Sequence, residues 1–181
     1  MSRGKEIVAI ALALIGWITA VVACVLPMWK VLAVTKAGTG RAQIWEGLWM
    51  VCVVQSTGQI QCTAYNSMRA LPSDLQAARD MIVIAIITAL LPLTLSFMGA
   101  KCTDCVKDKA LKANVMIISG VLFTIVGCLV LLSTSWTRNT TIQDSQHSDV
   151  GASFNVGFVA AVLLMTAGLL QCCTGPPRKR R

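Results

Sequence analysis

Four apolar runs divide the chain. Ile7–Leu26, Met81–Ala100, Ala113–Thr137 and Val150–Gly175 contain no Asp, Glu, Lys or Arg. A bilayer core of roughly 30 Å is crossed by about 20 helical residues, and each run reaches that length. A charge at the centre of a spanning helix costs about 2.5–3.5 kcal/mol, so four charge-free runs predict four membrane spans. We place them at 7–26, 81–100, 113–137 and 150–173 in a single domain covering 1–181. Between them lie a first loop at 27–80, a middle loop at 101–112, a second outer loop at 138–149 and a tail at 174–181.

The long first loop follows a different pattern. Trp29-Lys30-Val31-Leu32-Ala33-Val34-Thr35 is rich in β-branched residues and runs into the turn signal Lys36-Ala37-Gly38-Thr39-Gly40. Gln43–Val54 reads as a second extended run, and Ser56-Thr57-Gly58-Gln59 as a hairpin turn leading to a strand at Ile60–Tyr65. That hairpin sets Cys52 opposite Cys62. In an oxidising compartment such a pair bridges by default, closing a loop whose constraint stabilises by about 2–3 kcal/mol; two free thiols are the alternative. Further along, Ser73 and Gln76 have capping-box spacing and Asp74 suits a positive first turn, so a helix is expected to start near Ser73, ahead of the second span. Pro92 is a candidate kink in that span.

Charge orients these elements. The chain carries +8 overall, and ten of its sixteen basic residues crowd into the N-terminus, the middle loop and the tail. The positive-inside rule then places both termini and the middle loop in the cytoplasm and the two other loops outside. The same clusters attract anionic lipid; without aromatic interleaving they do not suggest nucleic acid. With 55% hydrophobic and 13% charged residues, a soluble globule is excluded. The first span resembles a secretory signal, but three further spans favour an uncleaved anchor.

Candidate chemistry is sparse. Cys102 and Cys105 form a Cys-x-x-Cys, yet no second pair completes a zinc site and the sole histidine, His147, lies across the membrane. A thiol oxidoreductase built on this pair is the competing enzymatic reading; it lacks a matching outer pair other than Cys52 and Cys62. Cys102, Cys105, Cys172 and Cys173 sit beside the membrane and are palmitoylation candidates. Cys24 and Cys128, inside spans, read as small packing residues. Asn139-Thr140-Thr141 is a glycosylation sequon on the outer side, close to a span. Gly151, Gly157 and Gly168 would let the fourth span approach its neighbours closely. No cofactor and no metal are implied, and the chain reads as a non-enzyme.

Trp29, Gly47-Leu48-Trp49, Cys52 and Cys62 resemble the claudin signature, and the stretches Ile44–Met50, Cys52–Gln59, Leu71–Arg79, Lys101–Thr103 and Ser135–Thr137 resemble its claudin-3/claudin-4 branch. The resemblance covers about residues 7–175. The tryptophan-and-cysteine signature alone is less specific, being shared with PMP-22-like and calcium-channel γ-subunit tetraspans, which are the alternative. The resemblance implies a membrane α+β fold: a left-handed four-transmembrane-helix bundle carrying an extracellular antiparallel β-sheet from both outer loops. It implies a plasma-membrane protein of tight junctions that polymerises with itself and other claudins, in cis and in trans, to seal the paracellular space or set its ion permeability. Carried over by residue, Trp29, Gly47, Leu48 and Trp49 would anchor the sheet, Cys52 and Cys62 would be the family's bridge, Arg79 would brace the foot of the second span, and Met68 would reach a neighbouring subunit.

Three departures matter. Thr63 follows the second cysteine, where many claudins place a charge tied to ion selectivity. With Lys30, Lys36 and Arg41 it forms the set of selectivity candidates, and the first loop's net charge of +2 points to a barrier or weak anion preference over a cation pore. Next, Ser145-Gln146-His147-Ser148 replaces the family's aromatic pair and Asn-Pro-Leu-Val in a shorter second loop, which puts in doubt the pocket for Met68, the trans contacts and enterotoxin binding. Finally, the sequence ends at Arg181 where the family ends in Tyr-Val, so the tail is either truncated or not engaged by a PDZ scaffold.

Overall fold

The computed structural model describes residues 3–36, 40–55, 58–67, 71–100, 109–143 and 148–174. Four helices carry it: α1 (Arg3–Val25), α2 (Ser73–Gly99), α3 (Lys109–Gln143) and α4 (Ala152–Thr174). All four are long and apolar enough to cross a membrane. Their ends differ from the charge-free runs because a helix does not stop at the lipid boundary. α2 begins two turns before its apolar run, and α3 continues past Thr137 to Gln143, shortening the loop between α3 and α4. Asn139 therefore stands on an exposed helical turn, not in a loop.

Lipid offers helices no hydrophobic incentive to associate, so the bundle must be held by close packing and interhelical hydrogen bonds. Its buried centre is accordingly rich in small residues (Ala13, Ala20, Ala85, Ala89, Ala160, Ala161) around Phe123 and Leu164. α1 packs on α4, α4 on α3, and α3 on α2. Polar groups stitch the same interfaces. Ser96 Oγ and Ser119 Oγ are 2.6 Å apart and lie 2.8 and 2.7 Å from the carbonyl oxygen of Pro92, joining α2 to α3. Pro92 itself sits inside α2 without ending it. Trp17 Nε1 donates to the Ile86 carbonyl at 3.1 Å, tying α1 to α2. Of the two intramembrane cysteines, Cys24 is buried as expected, whereas Cys128 is exposed on α3 and packs no core.

Five antiparallel strands cap one end of the bundle: β1 (Lys30–Lys36), β2 (Gly40–Glu46), β3 (Met50–Val54), β4 (Ile60–Ala64) and β5 (Ser148–Val150). The spatial order is β4-β3-β2-β1-β5, so the strand from the loop between α3 and α4 docks on β1. Gln43–Val54, expected as one extended run, is two strands. Gly47-Leu48-Trp49 reverses the chain, closed by Gly47 N–H donating to the Met50 carbonyl at 2.9 Å. The β3–β4 turn is as expected: Gly58 has φ +81°, the region glycine tolerates, and its N–H reaches the Gln55 carbonyl. The capping box at Ser73 and Gln76 does not form. Pro72 is the N-cap and its carbonyl accepts the Gln76 N–H at 2.9 Å.

Candidate functional site

The geometry of the sheet depends on how it is seated on the bundle. Trp29, the last residue before β1, is wholly buried among Leu48, Leu75, Ala78 and Ile82, and its Nε1 donates to the Ala23 carbonyl at 2.9 Å. The indole thus fills the space below the sheet while satisfying a carbonyl near the end of α1 that has lost its helical partner. Leu48 enters the same cluster from the β2–β3 reversal, which is why that reversal lies against the bundle. Gly47 is required there because a Cβ would stand 2.6 Å from Pro27 Cα.

Trp49 occupies the rim. It is about half exposed, and its Nε1 lies 3.4 Å from Cys24 Sγ. The guanidinium of Arg79 sits 5.2 Å from its ring centroid, so a largely buried arginine is held on an aromatic face. Asp80 is only at the limit of ion-pair range, 3.9 Å away, and is exposed. The aromatic contact therefore outweighs the ion pair in placing Arg79.

Cys52 and Cys62 are joined by a disulfide between directly opposed positions of β3 and β4. Trp45 of β2 stands opposite Cys52 on the other side. Opposed residues of an antiparallel pair share a face, so register traces further rows across the sheet. One such row is Val150, Lys30, Glu46, Val51 and Thr63. Two selectivity candidates far apart in sequence thus lie in line, but in unlike surroundings. Thr63 is exposed on the edge strand β4, while Lys30 is 5% exposed and ion-paired with Asp74. Lys30 is therefore not displayed to solvent as loop-charge counting assumed. Lys36 and Arg41 belong to the tip of the β1–β2 hairpin, where Lys36 pairs Gly40 and Arg41 pairs Thr35.

Two features escaped sequence reasoning. Gly151 was expected to relieve crowding between helices, but it precedes α4, and a Cβ there would lie 2.0 Å from the Met28 carbonyl oxygen. Its N–H donates to the Trp29 carbonyl at 3.1 Å, and Ser153 receives the Met28 N–H on Oγ at 3.2 Å. The corner between α1 and β1 is thereby fastened to the start of α4. Asp74 was read only as a favourable charge at a helix start; its partner, 44 residues earlier, was not visible locally. Tyr65, just after β4, is pushed up to about 12 by burial and by the nearby Glu46 carboxylate.

Met68, Cys102, Cys105 and His147 lie outside the described residues. At the far end of α4, Cys173 is exposed, while Cys172 is half-buried with its sulfur 3.8 Å from the Ile117 carbonyl. Among the described residues no group of three or more His, Cys, Asp or Glu is placed to hold a metal.

Four membrane-length helices bearing a disulfide-clamped antiparallel sheet at one end define a tetraspan membrane protein. The chain belongs to the PMP-22/EMP/MP20/Claudin family, whose model matches residues 3–171. It is 49% identical over 186 residues to Claudin-4 of Canis lupus familiaris, covering 98% of this chain and 89% of that protein. To Claudin-3 of Homo sapiens it is 47% identical over 190 residues, covering 100% and 86%. Claudin-4 of Bos taurus is 50% identical over 186 residues, with 98% and 89% covered.

Proposed function

We propose that this protein is a non-enzymatic structural component of tight junctions, which assembles side by side in one plasma membrane and with chains of the facing membrane to seal the space between cells. The observation that carries this reading is the sheet. It is clamped by Cys52–Cys62, seated through Trp29 and Leu48, and ends in an edge strand, β4, whose five residues are all exposed. An edge strand offers unpaired backbone groups to another chain, and a rigid seat spares the ordering cost of binding. Its claudin relatives support the same use.

In this reading the sheet lies outside the cell and both termini in the cytoplasm. The disulfide supports it, since such bridges persist in oxidising compartments, and so does the distribution of basic residues. Copies of this chain and other claudins are the partners, and the exposed helix faces meet lipid. Permeability favours a barrier or a weak anion preference. Thr63 adds no charge at the exposed edge, Lys30 is withdrawn into its pair with Asp74, and the first loop still sums to +2 in sequence.

Expression in cells that lack junctions tests both levels. Freeze-fracture should show continuous strands at cell contacts; their absence would favour an adhesion or channel-accessory role like that of PMP-22-type or calcium-channel γ-type tetraspans. Dilution potentials across an epithelial layer should show raised resistance without cation preference. A rise in cation-selective conductance would refute the barrier reading, and Thr63→Asp should move the wild-type behaviour in that direction.

A further inference from the structure

We propose that Lys30 and Asp74 form a latch that fixes the angle of the sheet on the bundle, and that the sheet swings about the Pro27–Trp29 corner when the latch is undone. The use of such a latch in strands rests on the assembly reading above; the latch itself is a property of one chain.

The two flanks of the sheet's base are attached in different ways. On one flank the contacts are tight: Trp29 and Leu48 are buried against α2, and Trp49 carries Arg79. Gly47 lies against Pro27, Gly151 against Met28, and Ser153 exchanges hydrogen bonds with Met28 through both its backbone and its hydroxyl. These contacts fix where the base of the sheet sits, and β5 adds contacts with α3. On the other flank, Lys30, Leu32 and Glu46 share one face of the sheet by register and overhang the start of α2 and the end of α3. An open cleft of about 460 Å³ separates them from Pro72, Ser73, Thr140 and Gln143. Thr140 does not reach across, because its hydroxyl bonds carbonyls of its own helix at Trp136 and Thr137. The ion pair of Lys30 with Asp74 does, joining the first residue of β1 to the first turn of α2.

A largely buried ion pair is a poor device for raising stability but a good one for selecting one arrangement among several. Its desolvation cancels much of the attraction, and an apolar pair of similar volume often stabilises equally well without demanding a direction. An angle set at Lys30 is also transmitted. Its row runs through Glu46 and Val51 to Thr63, three strands away, or about 14 Å at the usual strand spacing. A small rotation at the latch therefore displaces the exposed edge β4.

The test uses the full chain in phosphatidylcholine nanodiscs, with spin labels on genetically encoded ketone residues at Gln61 in β4 and Gln143 in α3, leaving the native cysteines untouched. Distances between the labels in the wild type should form one narrow distribution. The apolar pair Lys30→Met with Asp74→Leu should unfold at nearly the wild-type temperature yet broaden the distribution about twofold, separating loss of direction from loss of stability. The swapped pair Lys30→Asp with Asp74→Lys should restore the narrow distribution. A narrow distribution in the apolar pair overturns the latch, as does a swapped pair that fails to fold or stays broad. Absence of strands for the wild type in cells would count against the assembly reading while leaving these distances, and the latch, standing.

Discussion

Gly120 of α3 and Gly168 of α4 meet backbone to backbone: a Cβ on Gly120 would lie 2.6 Å from the Gly168 carbonyl oxygen, and one on Gly168 would lie 2.5 Å from that of Gly120. The contact is reciprocal, so either substitution must push the same two helices apart. Gly168→Ala or Gly120→Ala should each destabilise the bundle by about 1–3 kcal/mol, read as thermal unfolding in detergent. The double variant should cost clearly less than the sum, because the first substitution has already opened the gap. Additive losses would mean that the two glycines act separately.

Gly47 and Gly58 test two different needs for glycine. At Gly47 the obstacle is space, with Pro27 backbone in the way; at Gly58 it is a φ of +81° in open surroundings. Gly47→Ala should destabilise by about 1–3 kcal/mol and loosen the whole seat of the sheet. Gly58→Ala should cost about 1 kcal/mol and stay local to the β3–β4 turn. Hydrogen exchange at β1 and β2 separates the two, rising in the first variant and unchanged in the second.

The Cys52–Cys62 bridge closes a short loop between strands that are already paired. Replacing both cysteines by serine should lower stability by about 2–3 kcal/mol while leaving the four helices in place. Circular dichroism of the solubilised protein should keep its helical signal as the sheet loses exchange protection. A collapse of the helical signal would show that the bundle depends on the sheet.

Tyr65 is the one tyrosine in the chain, so its phenolate band at high pH is unambiguous. Burial, with Glu46 nearby, raises its pKa from 10 to about 12. The folded protein thus holds this proton more tightly than the unfolded chain does. The resulting stability is complete below pH 10 and is lost as pH climbs through 12. Ultraviolet titration should show a midpoint near 12 that falls slightly in Glu46→Gln. A midpoint at the ordinary value of 10 would place the phenol in water.

Much of the bundle was legible because membrane insertion leaves its mark residue by residue. An uncharged run long enough to cross must be helical wherever it lies, since lipid provides no partners for an unpaired backbone. The pairing of Cys52 with Cys62 was legible for a similar reason, as a short turn and two alternating strands fix each other's register. The reversal at Gly47-Leu48-Trp49 was not. Those residues read equally well as the middle of a strand, and what bends them is the burial of Leu48 beside Trp29 together with the closeness of Pro27 to Gly47. The display of charge was misjudged for the same kind of reason. Counting Lys30 among the loop's free positive charges assumed exposure, which depends on a carboxylate 44 positions later.

By itself, then, the amino-acid sequence determined four spans, the strand-rich first loop, its disulfide and the family to which the chain belongs. The first three follow from local composition and periodicity or from residues close in sequence, and the family follows from a resemblance that runs along nearly the whole chain. Only the tertiary structure decided that Gly151 fastens a strand corner, that Arg79 rests on Trp49, and that Lys30 faces Asp74 while Thr63 stands exposed in the same row. The physical reason is common to all three. Each is a contact between segments that pack together only once the sheet has settled on the bundle, and such contacts carry no local signal.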